Sequence, residues 1–174
     1  MPVVLSFVGP SNSGKTTLLT NLIPELKRRG HRVAVAKHSM GDLDLDQPGK
    51  DSWRLARAGS DAVVASGPHR LTLIKKVERD PTLEEVLSMV GDDYDLVLVE
   101  GFKRSRVPKV EVHRRIQGGL VCPPEELFAV VTDEPLDIPV PQFSVEQGEA
   151  LADLIEDRLL ASASGGRKRD ARPV

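Results

Sequence analysis

The nine residues Gly9–Thr17 constrain this chain more than any other stretch, because G-P-S-N-S-G-K-T-T fits the pattern G-x-x-x-x-G-K-[ST]. The apolar, β-branched run at 3–8 predicts a buried strand before the pattern. Leucines and an isoleucine at helical spacing follow it, and Gly30 predicts the end of that helix. A strand, a glycine loop and a helix in this order form a cradle for phosphate, since loop amides and the positive helix end face anionic oxygens.

The loop residues therefore predict a binding site for a nucleoside triphosphate. Lys15 is expected to reach the β- and γ-phosphates, and the Thr16 hydroxyl is expected to ligate Mg²⁺. The alternative is a chance glycine turn before a helix, which the agreement of strand, loop and helix disfavours. The predicted nucleotide-contacting residues of this loop are Gly9, Ser11, Asn12, Ser13, Gly14, Lys15, Thr16 and Thr17.

A second candidate site residue is Glu100, which directly follows the apolar run 96–99. Such a run is typical of a central parallel strand, and a carboxylate at its end can hold the metal from the side opposite Thr16. Asp46 is a weaker candidate for the same metal, because it lies in an acidic loop between 39 and 50 and Mg²⁺ prefers oxygen ligands. The predicted catalytic residues are thus Lys15, Glu100 and Asp46, and the predicted metal ligands are Thr16, Glu100 and Asp46. The alternatives are that Glu100 is an ordinary acidic residue at a strand end and that Asp46 lies in a solvated acidic loop.

The order of predicted elements indicates an α/β fold: a P-loop NTPase-like, mostly parallel sheet flanked by helices. Strand–helix–strand units of this kind build parallel sheets. Predicted strands at 61–66 and 71–77 are joined too closely for a crossover helix, so they predict an antiparallel hairpin extension at about 67–80. We expect one nucleotide-binding domain over residues 1–161 and a disordered tail over 162–174.

Composition narrows the range of functions. The net charge is -2, and only one Trp, one Tyr and four Phe are present, so neither an electrostatic nucleic-acid surface nor a base-stacking aromatic platform is expected. The single Cys122 excludes an internal disulfide. No apolar run approaches the ~20 residues of a membrane span. The expected protein is soluble and cytoplasmic, with no nucleic-acid or membrane partner.

The chain contains several segments, together and in order, that resemble those of the molybdopterin-guanine dinucleotide biosynthesis protein B family, often called MobB. The P-G-K-D-S-W-R segment is much more specific than the phosphate loop, and the resemblance runs from residue 1 to about 160. The segments are 9–17, Lys37-His38, 46–54, Ala58-Gly59, 99–103 and 110–112.

The resemblance implies a GTP-binding homodimer with slow Mg²⁺-dependent hydrolysis that assists a separate nucleotidyltransferase in attaching GMP to molybdopterin. A guanine-selective site needs a carboxylate beside the base. Asp133, at the end of a late strand, is the candidate, with a turn-forming role as the alternative. Molybdopterin itself is a candidate ligand. The cations that could converge on its phosphate are Lys37, His38, Lys50, Arg54, Lys103, Arg104 and Arg106.

Three other functions compete with this interpretation. A small-molecule kinase could use Arg104 and Arg106 in a lid, but it leaves the 46–54 segment unexplained. An ATP-driven carrier with an additional lysine early in the loop is disfavoured, because Pro10 stands at that position. A GTP-binding adaptor without hydrolysis stays open, since no residue is recognisable as the one that positions water.

Overall fold

The computed structural model describes residues 1–39, 41 and 47–164. The chain divides into two compact units, one formed by Met1–His38 and the chain from Val86 onward, the other by Ser39–Glu85. The prediction of one nucleotide-binding domain over 1–161 stays a prediction, and most of the predicted tail lies outside the described residues.

Strands and helices alternate along most of the described chain. The strands are β1 Val3–Val8, β2 Val33–Lys37, β3 Ala62–Gly67, β4 Arg70–Lys75, β5 Leu96–Glu100, β6 Lys109–Val112, β7 Leu127–Val131 and β8 Gln142–Phe143. The helices are α1 Lys15–Arg28, α2 Asp51–Arg57, α3 Leu83–Val90, α4 Gly148–Ile155 and α5 Ala161–Ser164, with short 3-10 helices at Arg115–Gln117 and Pro124–Glu126. None of the helices in the described ranges is long and apolar enough to cross a membrane.

The first unit is built on a six-stranded sheet in the order β2-β5-β1-β6-β7-β8. Every pairing in this sheet is parallel. β1 therefore lies in the middle, between β5 and β6, and the carboxyl ends of all these strands meet at one edge. The predicted mostly parallel α/β sheet is confirmed.

The core of this unit explains why the apolar runs form central strands. Leu5, Phe7 and Leu98 are fully buried, and the leucines of α1 pack into the same cluster as Leu151 of α4. Each fully buried leucine contributes about 1.5–3 kcal/mol of hydrophobic stabilisation. This packing fixes the start of α1 relative to the sheet edge, where the glycine loop lies.

The last helix differs from its predicted pattern. Spacing at 3.6 residues per turn predicts an apolar face formed by Leu151, Leu154, Ile155 and Leu159. A π-helical turn at Glu156–Leu160 follows α4, and the wider turn places Leu160 in the core while Leu159 is only partly buried. The extra residue in the turn thus shifts the buried face by one position.

A cluster of charges joins the end of α1 to this π-helical turn. Arg29 donates from Nε to Glu25 at 2.6 Å and from Nη1 to Asp153 and Glu156, each at 2.6 Å. His31 is paired with Glu156 as well. The hydrogen bonds from His31 and then Arg29 lower the pKa of the Glu156 carboxyl. The cluster therefore stabilises this packing most when Glu156 is ionised.

The second unit contains α2 and a two-stranded sheet. β3 and β4 pair antiparallel from Ala62 opposite Lys75 to Gly67 opposite Arg70, which confirms the predicted hairpin. Leu71 and Leu73 of β4 and Val64 of β3 are exposed. Thr82 and Glu85 form a capping box at the start of α3, since the Glu85 amide donates to Thr82 Oγ1 and the Thr82 amide donates to Glu85 Oε2.

Candidate functional site

Two glycines allow the shape of the loop between β1 and α1, and the first of them lets the loop lie against β6. Gly9 has φ 138°, and a Cβ at this position would lie 2.4 Å from the Val112 carbonyl oxygen, so no other residue fits. Gly14, with φ 100°, immediately precedes α1. Asn12 also adopts a left-handed conformation, with φ 62°. The loop thus has the curled backbone that turns successive amides in one direction.

The first turn of α1 leaves its amides available to an anion. Gly14 is the N-cap and supplies no side-chain cap, and no acidic residue occurs in the first turn. The Ser13 hydroxyl is buried and has no hydrogen-bond partner among the residues that the structure describes. Free amides and the positive end of the helix dipole favour negative charge at this point. The loop fits a phosphate group.

Lys15 folds over the loop from the start of α1. Its Nζ donates to the carbonyl oxygens of Gly9 at 3.0 Å and Pro10 at 2.6 Å. Desolvation lowers the pKa of Lys15, the Glu100 carboxylate opposes that shift, and the Lys37 ammonium adds to it. The cation is therefore held at the loop by the carbonyl oxygens of two loop residues.

Glu100 lies beside the start of α1. Its Oε2 accepts a hydrogen bond from Thr16 Oγ1 at 3.0 Å, and its Oε1 lies 3.3 Å from Lys37 Nζ. The sheet register explains the arrangement, because Glu100 is paired with Phe7 of β1 and with Lys37 of β2. A hydroxyl and a carboxylate in contact form an oxygen donor pair suited to Mg²⁺, so these residues fit that ion.

Two other predicted site residues have different outcomes. Asp46 lies outside the described residues, so its metal and catalytic roles stay predictions. Asp133 follows β7 on the other side of β1 from Glu100. Its Oδ1 accepts the Arg115 amide at 2.9 Å, and this bond is the main cause of the lowered pKa of the Asp133 carboxyl. Asp133 is therefore ionised and held in place at the sheet edge.

Sequence reasoning missed two side chains that contact the loop. Arg114 donates from Nε to the Ser13 carbonyl at 3.0 Å, and Gln117 donates from Nε2 to the Ser11 carbonyl at 2.8 Å. Both follow β6, the strand beside β1. The available signal was Arg114 itself, a cation directly after a strand of the predicted sheet.

A buried carboxylate supports the segment that carries these two residues. Glu111 of β6 is fully buried, and its two oxygens accept the Val121 amide at 2.6 Å and the Cys122 amide at 2.9 Å. Bonds from amides to a buried carboxylate are among the stronger hydrogen bonds in proteins. They anchor the far end of the segment that begins at Arg114.

The structure thus brings the loop residues, Thr16 and Glu100 together at the carboxyl edge of a parallel sheet, with Asp133 at the same edge. The cations Lys50 and Arg54 belong to the second unit, and the predicted convergence of basic residues on a second anion stays a prediction. The strand, the glycine loop, Lys15, Thr16 and the strand-end Glu100 are the defining parts of a P-loop NTPase-type protein.

Comparisons with known proteins assign the chain more narrowly. The sequence model of the family described as "Molybdopterin guanine dinucleotide synthesis protein B" matches residues 4–133. The molybdopterin-guanine dinucleotide biosynthesis adapter protein of Haemophilus influenzae is 39% identical over 158 residues, covering 90% of this chain and 89% of that protein. The Escherichia coli protein of the same name is 37% identical over 161 residues, covering 87% and 90%.

A solved structure agrees with these sequence relatives. The crystal structure titled molybdopterin-guanine biosynthesis protein B superposes with a TM-score of 0.68 at 33% identity, covering 90% of this chain and 100% of that chain. The chain belongs to the MobB family.

Proposed function

We propose that this chain is an adapter protein of molybdopterin-guanine dinucleotide biosynthesis that binds GTP with Mg²⁺ at its glycine loop. In this role it hydrolyses GTP slowly and assists a separate nucleotidyltransferase in attaching GMP to molybdopterin. The observation that carries the nucleotide part is the 3.0 Å hydrogen bond between Thr16 and Glu100 beside the loop. The names of the two relatives support the pathway part.

Each residue of the proposed site has a role that follows from its position. The amides of 14–16 and the Ser13 hydroxyl bind phosphate oxygens, and Lys15 exchanges its two carbonyl partners for the phosphates. Thr16 and Glu100 would hold Mg²⁺, which would supply positive charge against the charge that develops on the transferred phosphoryl group. Lys37, 3.3 Å from Glu100, keeps that carboxylate oriented.

Assembly and location belong to the same proposal. The exposed apolar residues of the β3–β4 hairpin form a surface through which two copies could associate, because an uncovered strand edge pairs readily with another chain. We propose a cytoplasmic homodimer. Molybdopterin as a direct ligand is a further part of this proposal.

Titration calorimetry with GTP and ATP, each with Mg²⁺, tests the nucleotide part on the full chain. We expect GTP to bind more tightly than ATP. Lys15→Ala should weaken GTP binding about ten- to a hundred-fold, because it removes a charge-assisted hydrogen bond worth about 1.5–3 kcal/mol. Lys27→Ala, an exposed lysine at the other end of α1, is the matched control and should bind as the parent does.

The outcomes separate the competing functions. Unchanged GTP affinity in a folded Lys15→Ala variant contradicts the phosphate-loop assignment. Preferential ATP binding, with turnover only when an acceptor is added, favours the small-molecule kinase. Tight GTP binding without release of phosphate in a single-turnover assay indicates the adaptor that does not hydrolyse GTP.

A further inference from the structure

The direction of a nucleotide on this sheet edge follows from the two sides of β1. On one side, Thr16 contacts Glu100 of β5, which marks the metal-binding end of the triphosphate. On the other side lie β6 and β7 in sequence. Adjacent strands are about 4.8 Å apart, so the end of β7 lies roughly 10 Å from β1, a distance that ribose and base can span. This orientation rests on the proposed function.

One side chain occupies the path between the loop and the end of β7. Arg114 donates from Nε to the Ser13 carbonyl at 3.0 Å, and its Nη1 lies 3.7 Å from Asp133 Oδ2. Its Nη2 lies 3.2 Å from the position that a Cβ on Gly14 would take. Two of the three guanidinium nitrogens thus face a polar partner, while 30% of the side chain remains exposed.

The chemistry of a fixed guanidinium suits a planar ring. Arginine stacks on aromatic faces through its delocalised plane, whereas lysine presents only a point charge. A guanidinium already held by its neighbours loses little conformational entropy when a base covers it. We propose that Arg114 is a nucleotide-binding residue on which the nucleobase stacks, and that its contact with Asp133 places that carboxylate at the edge of the base.

The Asp133 carboxylate is placed to accept hydrogen bonds from the edge of the base. The Arg115 amide occupies Oδ1, yet a carboxylate has about four acceptor positions. The Asp133 side chain is 42% exposed, so acceptor positions remain for a ligand. Guanine presents two adjacent donors on one edge, and a carboxylate accepts both. Stacking on Arg114 therefore holds the base by its face, and acceptance by Asp133 selects guanine by its edge.

The test compares GTP with inorganic tripolyphosphate, each with Mg²⁺, by calorimetry. Arg114→Lys keeps a cation that can reach the Ser13 carbonyl but removes the plane, so it isolates stacking. We expect it to weaken GTP binding about 5- to 100-fold, the range for loss of one stacked base, while tripolyphosphate affinity stays within about three-fold. Arg114→Met should show at least the same loss for GTP. Arg115→Met, at a neighbouring and largely exposed arginine, is the matched control and should leave both affinities unchanged.

Two results overturn this assignment. If Arg114→Lys binds GTP as tightly as the parent, the planar guanidinium does not stack on the base. An equal loss of GTP and tripolyphosphate affinity in that variant shows that Arg114 only shapes the phosphate loop. Failure of the proposed function is a separate result, because the parent chain itself would then not bind GTP. Melting temperatures of all variants confirm that each comparison is made on folded protein.

Discussion

Replacing Glu100 by Gln tests the metal side of the site with a minimal change in shape. The carboxylate is nearly buried, accepts from Thr16 at 3.0 Å and lies 3.3 Å from Lys37. Glutamine keeps an oxygen for the Thr16 hydroxyl but removes the negative charge. We expect hydrolysis of GTP to fall much more than binding of GDP, because the metal acts chiefly on the γ-phosphoryl group during its transfer.

The structure sets the size of this effect. A charge-assisted interaction contributes about 1.5–3 kcal/mol, so losing the one between this carboxylate and the metal side of the transition state corresponds to a roughly ten- to hundred-fold fall in rate. The pair with Lys37 adds at most about 1 kcal/mol of stability, since more than half of that lysine side chain is exposed. The melting temperature should therefore change little. A large rate effect without unfolding is the expected signature.

A single-turnover assay with excess protein and saturating Mg²⁺ measures the rate, and Glu125→Gln at an exposed position is the control. A second readout is the pH dependence of GTP binding. Glu100 is the group that raises the pKa of Lys15 against desolvation, so in Glu100→Gln that pKa falls further. The alkaline loss of binding should then begin at a lower pH than in the parent. Equal hydrolysis rates in variant and parent would remove Glu100 from the metal site.

Three further predictions concern base choice, assembly and acid stability. Asp133→Asn should lower GTP affinity and raise XTP affinity, because the amide can donate to the xanthine carbonyl that replaces the guanine amine; unchanged affinities for both leave Asp133 a turn residue. Leu71→Asp in the exposed strand should convert a dimer into a monomer in light scattering at micromolar concentration, and a monomeric parent refutes the hairpin interface. Because the pKa of Glu156 is lowered in the folded state, its contribution to stability is present above the unfolded pKa near 4.5 and is lost as pH falls through the folded value. Glu156→Gln should therefore flatten the decline in the unfolding midpoint below about pH 5, whereas Asp157→Asn at an exposed neighbour should not.

Local patterns carried most of the fold prediction. The loop, α1 and β5 were predictable because each is encoded within a few consecutive residues: glycines with a Lys-Thr pair, leucines at helical spacing, and an unbroken apolar run. The hairpin followed from a connection too short for a helix. The start of β2 at Val33 is less predictable, since the Arg32 amide just before it donates to the Asp95 side chain at 2.8 Å.

Contacts between distant segments could not be predicted in the same way. Ser13 and Arg114 are 101 positions apart and meet only because β6 lies next to β1, and strand order is not written in any one segment. Gln117 ends a 3-10 helix and donates to the loop, a contact that no pattern within its own segment indicates. The π-helical turn after α4 likewise depends on packing rather than on the spacing of its leucines.

The contact between Glu111 and Cys122 makes the cysteine a probe of how often this segment of the chain opens. The amide of Cys122, the only cysteine in the sequence, is tied to Glu111, and its thiol lies buried. Burial raises the pKa of that thiol, with the Glu111 charge adding to the shift. A thiol reagent can therefore react only during moments when the segment detaches from Glu111, and the labelling rate reports how often it does. The same segment carries Arg114 and Gln117, so a ligand that rests on them should slow the labelling without touching the cysteine.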